Sequence, residues 1–309
     1  FMPIDGRHVI SSRQALTLTR LPETMVVVGS GAIGSEFAWF YAALGVKVTV
    51  VEYMPRMMPL EDEEVSKAME RAFRKLRAAV MTSTTVKSVR VNAEGRCEVE
   101  IEGKKGPETL TADIVLSAVG IKSNIEGIGL EELGIAVERD KVLVDRFYRT
   151  NVPGVYAIGD IVGGPALAHV ASAEGICCVE AICGLDPAPV DYSAIPSCVF
   201  TSPEVASVGM TEQQAQERGI AYKVGRFPFT ASGKATAAGD RDGFVKLLFG
   251  EDDTLLGAHM VGQNVTEMIA EPTLARMLGA TAHRIARTIH AHPTMNEGVM
   301  EAAAAVPER

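Results

Sequence analysis

The segment His290-Ala291-His292-Pro293-Thr294-Met295-Asn296-Glu297 places a carboxylate five residues after an imidazole. Histidine is the side chain whose ordinary pKa lies nearest neutrality, so it suits proton transfer. A carboxylate partner fixes the imidazole tautomer and raises its basicity. His292 and Glu297 are therefore the candidate catalytic acid–base pair. Spacing alone leaves a solvated surface pair as an equal alternative.

A second constellation lies near the start of the chain. Gly29-Ser30-Gly31-Ala32-Ile33-Gly34 is a G-x-G-x-x-G. The motif is weak by itself, but an apolar run at residues 25–28 precedes it and a helical pattern at 32–44 follows it. In that setting Gly29 permits a tight turn, Gly31 lets backbone approach a pyrophosphate, and Gly34 lets helix pack on strand. The N–H groups of the helix start, around Ala32 and Ile33, would face the phosphates. A further strand at 47–52 ends in Glu52. A carboxylate there can accept ribose hydroxyls and repel a 2′-phosphate, which predicts NAD over NADP. A glycine turn without a ligand is the weaker alternative. Arg56 reads as a solvated arginine rather than a phosphate ligand.

The elements that must hold these groups are legible in outline. With 309 residues the chain can build two or three domains with real cores. Its 39 acidic against 30 basic residues argue against nucleic acid or an anionic membrane as the main partner. No apolar run approaches the ~18–20 residues of a membrane span, and no secretory or transit segment is recognisable. Five cysteines are too few for a disulfide framework and favour a reducing cytoplasm. No metal site is expected.

A capped helical turn is predicted at 11–16 and a long polar helix at 60–79. Strand-like runs at 86–91, 97–101 and 114–118 follow. Strands alternating with helices predict an α/β fold with a parallel, Rossmann-like sheet over residues 1–120. Residues 121–190 hold a strand at 155–158, the turn Gly159-Asp160 and a helix at 166–182, and end at Asp186-Pro187-Ala188-Pro189. Residues 191–309 read as α+β. Strands are expected there at 198–200, 205–208, 221–227, 244–249 and 255–260, and helices at 212–218, 265–278 and 283–288.

Four motifs in order make a resemblance specific: the stretch from Gly29 to Glu52, that from Thr150 to Asp160, Leu167-Ala168-His169, and the segment from His290 to Glu297. Together they resemble the pyridine nucleotide-disulfide oxidoreductases, most closely their dihydrolipoamide dehydrogenase branch, over nearly the whole chain. The resemblance implies an NAD domain at 1–120, a central segment at 121–190 that contacts FAD, and a dimerisation domain at 191–309. It makes His292 the acid–base and Glu297 its orienting partner. The family usually has Ser where this chain has Asn296, and the bond before its proline is often cis. Asp160 would bind the ribityl chain of FAD, with Ala166, Leu167, Ala168 and His169 under the ring. His169 by itself reads as structural. Glu36 would lie near the nicotinamide, Gly120 beside the cofactor ribose and Val86 on the adenine side. The loop Gly120-Ile121-Lys122-Ser123-Asn124 departs from the family's usual Gly-Arg-x-Pro-Asn.

The family's activity implied here is FAD-dependent oxidation of dihydrolipoyl groups with reduction of NAD+, in a homodimer that meets a lipoyl-bearing carrier protein. The redox disulfide of the family, spaced C-x4-C, belongs to an N-terminal FAD domain. The chain begins at Phe1-Met2-Pro3 in a stretch that resembles the exit from that domain, so it is expected to lack it and to be inactive alone, keeping NAD binding and dimerisation. Cys178 and Cys183 are formally C-x4-C, but sit late in a predicted helix about 140° apart. With Cys177 they read as buried small hydrophobes. Other readings stay open: a soluble transhydrogenase, another disulfide reductase of the family, or a non-enzymatic NAD-binding module. Glutathione-type reductases prefer Arg at the position of Glu52, and mercuric reductases end in a Cys pair where this chain ends Ala305-Val306-Pro307-Glu308-Arg309.

Overall fold

Valine-rich runs bury both of their faces and set the first sheet. In the computed structural model, which describes residues 1–307, five parallel strands run in the order Val9–Ile10, Ile114–Ser117, Thr24–Val28, Lys47–Val51, Ala79–Met81. Near-continuous apolar strands such as Val26, Val27 and Val28 are what a sheet covered on both sides requires. The helix Ala32–Ala43 connects the central pair of strands. A second helix, Glu63–Lys75, starts where the Asp62 carboxylate accepts the Glu64 N–H at 3.0 Å. It is shorter than the expected span 60–79. Arg77 turns left-handed at φ 63°, and the chain reverses into the strand Ala79–Met81, which the helical pattern had hidden.

Strands Thr85–Val91, Cys97–Gly103 and Gly106–Ala112 form a separate antiparallel sheet. The first two were expected within the parallel layer. Connections this short permit only hairpins, since a parallel return needs a crossover. The third strand is largely exposed and polar and gave no apolar signal.

After residue 195 a five-stranded antiparallel sheet is built in the order Ser197–Val199, Glu204–Gly209, Leu255–Gly262, Phe244–Gly250, Tyr222–Pro228. The helical stretch expected at 265–278 is two helices, Val265–Met268 and Ala270–Met277. Helices Gly233–Ala238 and Glu297–Ala304 were not anticipated. Phe229, Val245, Phe249, Met260 and Val299 are central to the core beneath this sheet. Val199, Val205, Phe244 and Val261 share the other core with Val27, Val50 and Phe73, so the chain from Phe1 to Val119 and the chain from Pro196 onward form one compact unit.

A polar row interrupts this apolar packing. Ser207, His259 and Lys246 stand side by side on three adjacent strands. Lys246 is fully buried, and its Nζ meets Asp62 at 2.9 Å, Glu212 at 2.5 Å and Glu64 at 3.1 Å. Arg226 supports Glu64 from the other side at 2.9 Å. Burial opposes the charge of Lys246, but the three carboxylates outweigh it and raise its pKa. Asp62 moves the other way: burial works against its charge, yet the nearby His259, then Lys246 and the Glu212 N–H, hold it below the usual carboxylate range.

Gly120–Ile195 is a second compact unit with little regular structure. It holds the short hairpin Val137–Glu138 with Lys141–Val142 and the helix Ala168–Ile182. The expected strand at 155–158 is only an isolated bridge between Arg149 and Tyr156. The pairing stops at its open end, where Tyr148 turns left-handed at φ 66° and the chain enters a 3-10 turn at Gly159. Cys177 and Cys178 are buried beside Tyr148, whereas Cys183, expected to be buried, is exposed just past the helix end. No helix among the described residues is long and apolar enough to cross a membrane. The last two residues of the segment 191–309 lie outside the described residues.

Candidate active site and cofactor sites

The glycine loop has the shape its spacing predicts. Gly29 is left-handed at φ 97°, and a Cβ there would meet the Ala118 carbonyl oxygen at 2.5 Å. A Cβ on Gly34 would meet the Gly29 oxygen at 2.0 Å, so helix and strand touch through bare backbone. Gly31 is different: a Cβ would meet nothing within 4 Å. Packing does not require glycine there. Open space at the N-cap of the helix Ala32–Ala43 fits a pyrophosphate approaching the exposed residues Ala32 and Ile33.

Glu52 carries a structural duty that the sequence did not reveal. It is buried, and its Oε2 accepts both the Ser30 N–H at 2.8 Å and the Ser30 hydroxyl at 2.7 Å. Its Oε1 accepts the Met54 N–H at 2.8 Å. The Met58 N–H in turn donates to the Ser30 hydroxyl at 3.1 Å. Ser30, wholly buried, thus ties the glycine loop to the loop after the next strand. A carboxylate offers about four acceptor positions, so Oε1 retains capacity for a ribose hydroxyl. Glu36 is half-buried, and its Oε1 accepts the Phe200 N–H at 2.9 Å. Val86 points into the core with Val28 and Val51.

In the unit Gly120–Ile195, Asp160 lies in a 3-10 turn, Gly159–Ile161, and is exposed. The turn is held from beneath. The buried Glu174 accepts the Gly159 N–H at 2.6 Å and the Tyr192 hydroxyl at 2.5 Å. The Asp160 carbonyl accepts from Ser123 Oγ at 2.9 Å and Lys141 Nζ at 2.7 Å. Its carboxylate is therefore presented outward on a braced turn. Leu167 is the N-cap of the helix Ala168–Ile182, and Ala168 and His169 are exposed in its first turn, with Ala166 just before it. Gly120 is exposed at φ 138°.

His292 and Glu297, expected to act as an acid–base pair, are brought together. His292 Nδ1 lies 2.8 Å from Glu297 Oε1, and Glu297 Oε2 accepts the Thr294 N–H at 2.9 Å. Facing a carboxylate, Nδ1 carries the proton, and the lone pair of the neutral ring sits on Nε2. The His292 side chain is 77% exposed, so Nε2 is turned to the outside. The Thr294 N–H and then His292 hold the Glu297 carboxyl below its ordinary range. The peptide bond before Pro293 is cis. Ser30, Glu174 and Tyr192 carried no local signal in the sequence, because each acts through a partner that is distant along the chain.

Residues 2–175 match the family model for pyridine nucleotide-disulphide oxidoreductases, and residues 195–303 match the dimerisation domain of the same family. A dihydrolipoyl dehydrogenase of Chlorobaculum tepidum is 48% identical over 97% of this chain and 64% of its own length. One from Bacillus subtilis is 44% identical over 98% of this chain and 65% of its own. Among solved structures, LpdA from Mycobacterium tuberculosis superimposes with a TM-score of 0.88 at 29% identity, covering 98% of this chain and 66% of that one. The HOCl-induced flavoprotein disulfide reductase RclA of Escherichia coli gives 0.87 at 26% identity. The chain spans about two thirds of the length of these relatives. It belongs to the pyridine nucleotide-disulphide oxidoreductase family.

Proposed function

We propose that the protein takes part in the oxidation of dihydrolipoyl groups with reduction of NAD+. The observation that carries this reading is the His292–Glu297 pair at 2.8 Å with its free nitrogen outward, in a chain whose relatives are named dihydrolipoyl dehydrogenase. FAD and NAD would supply the electron transfer when bound. The open space over Gly31 and the remaining acceptor capacity of Glu52 fit NAD. The outward Asp160 and the helix start at Ala168 fit the flavin, since a helix N-terminus favours negative charge on a reduced ring.

The residues of this chain then have definite tasks. Nε2 of His292 takes the proton of a substrate thiol, and Glu297 steadies the imidazolium that results. Gly29, Gly31 and Gly34 admit the dinucleotide, and Glu52 keeps its ribose end. Residues 1–120 serve as the NAD domain, 121–190 as the flavin-contacting segment and 191–309 as the dimer-forming domain. The dimer is a homodimer in a reducing, cytoplasmic setting, and it meets a lipoyl-bearing carrier protein.

The test is His292→Gln in the full-length polypeptide. Dihydrolipoamide turnover should fall by ~10²–10⁴, while NADH oxidation by an artificial acceptor, which bypasses the thiols, should persist. Equal loss of both would make His292 structural. Absence of dihydrolipoamide turnover in the unmodified protein would move the substrate to another disulfide.

A further inference from the structure

The segment that carries His292 is fastened at both ends to one carboxylate. Glu271 lies in the first turn of the helix Ala270–Met277, where the helix dipole favours negative charge. Its Oε1 is 2.7 Å from His290 Nε2, and its Oε2 accepts the Asn296 Nδ2–H at 2.9 Å. His292 stands between those two attachment points. His290 is no competitor for the proton-transfer role. Its side chain is 6% exposed, and its Nδ1 is already bonded to the Thr288 carbonyl at 2.9 Å.

Asn296 gives an independent sign. It occupies the N-cap of the helix Glu297–Ala304, where asparagine ordinarily accepts a helix N–H, yet its side chain makes no capping bond. Such a cap is typically worth ~1 kcal/mol. The amide is turned toward Glu271 instead, and only its nitrogen can face a carboxylate. The Thr294 hydroxyl closes the middle of the segment on the Ala291 carbonyl at 2.7 Å.

We propose that Glu271 is a positioning residue for the His292–Glu297 pair, acting through His290 on one side and Asn296 on the other. This rests on the proton-transfer role proposed above for His292.

Two measurements separate the outcomes. In this chain, the Glu297 carboxyl is followed by carbon-13 NMR against pH in Glu271→Ala. Removing a nearby negative charge would by itself lower the Glu297 midpoint, whereas opening the segment raises it toward the ordinary 4.5. A rise is expected, and a fall or no change overturns the proposal. In the full-length polypeptide, Asn296→Asp sets two carboxylates face to face. Dihydrolipoamide kcat should then drop about 10- to 100-fold, as for a misplaced catalytic group, with the KM for NAD+ unchanged and the melting temperature maintained. Adding Glu271→Gln to Asn296→Asp restores a donor–acceptor match and should recover kcat to within about threefold of the original. Failure of that recovery, or no loss in Asn296→Asp, overturns the proposal. If the unmodified protein does not turn over dihydrolipoamide, the functional reading fails, and the Glu297 titration still decides the clamp.

Discussion

Lys246→Met removes the one cation that three buried or half-buried carboxylates share. Methionine keeps the volume and the apolar stem, so the loss is electrostatic. Asp62 suffers most, because its side chain is fully buried with Lys246. Breaking a buried pair by deleting one partner costs about 3–5 kcal/mol. Asp62 keeps two backbone donors, the N–H groups of Glu64 at 3.0 Å and Glu212 at 3.1 Å. Glu64 keeps Arg226, and Glu212 keeps the Tyr222 hydroxyl at 2.9 Å. The lower end applies, about 3 kcal/mol, which for a unit of this size lowers the melting temperature by roughly 6–12 °C. Urea unfolding near neutral pH measures it. The folded pKa of Asp62 is depressed, so the contribution of the pair is present above the ordinary carboxylate range. It fades as pH falls through the lowered folded value, and the gap between the two proteins should narrow there. Adding Asp62→Asn retains an N-cap acceptor without the charge and should return a large part of the loss. A gap below about 1 kcal/mol at neutral pH, or one that acid does not narrow, would refute the reasoning, since the surface-pair range ends there.

Other expectations follow from single sites. Gly34→Ala should destabilise by several kcal/mol, because its Cβ meets backbone at 2.0 Å, whereas Gly31→Ala should leave the melting curve unchanged and weaken NADH binding at least ~10-fold by titration. Glu52→Gln should weaken NADH more than NADPH and also cost stability, because the amide can no longer accept on both oxygens; equal effects on the two cofactors would remove Glu52 from the ribose. Burial pushes the Glu61 carboxyl up, against the Ser207 bond and helped by Asp62, and its Oε2 has no partner. Its protonated form therefore stabilises the fold at low pH, and that contribution is lost as pH rises above 4.5 toward the raised folded value. Glu61→Gln should raise urea stability near neutrality and flatten that part of the pH profile.

Local signals were read well. The glycine loop, the strands at 24–28 and 47–51 and the helix between them stand within a residue or so of expectation, because period, caps and glycines act over a few neighbours. What escaped was set by distant partners. The strand Ala79–Met81 continues an apparently helical pattern and is decided by pairing with Lys47–Val51. Glu52 looked like a ligand residue, while its bonds to Ser30 and Met54 depend on how two loops meet. Glu174, Tyr192 and Glu271 reach their partners across 15 to 25 residues of chain, and no spacing rule marks them. His292 and Glu297, close in sequence, were legible for the opposite reason.

The unit formed by Phe1–Val119 with the chain from Pro196 onward has a consequence for how the polypeptide is made. Its first core is completed by Val199, Val205, Phe244 and Val261. Those side chains leave the ribosome after the whole of Gly120–Ile195 has been synthesised. At ~5–20 residues per second, Val27 and Phe73 wait roughly 10–50 s for their last neighbours. During that interval the parallel sheet has helices but an uncovered apolar face. Lys246 arrives late in the same window, so the buried carboxylate of Asp62 has no cation until nearly the end. Nascent-chain protection should therefore appear abruptly after residue 261 emerges, rather than growing with each strand.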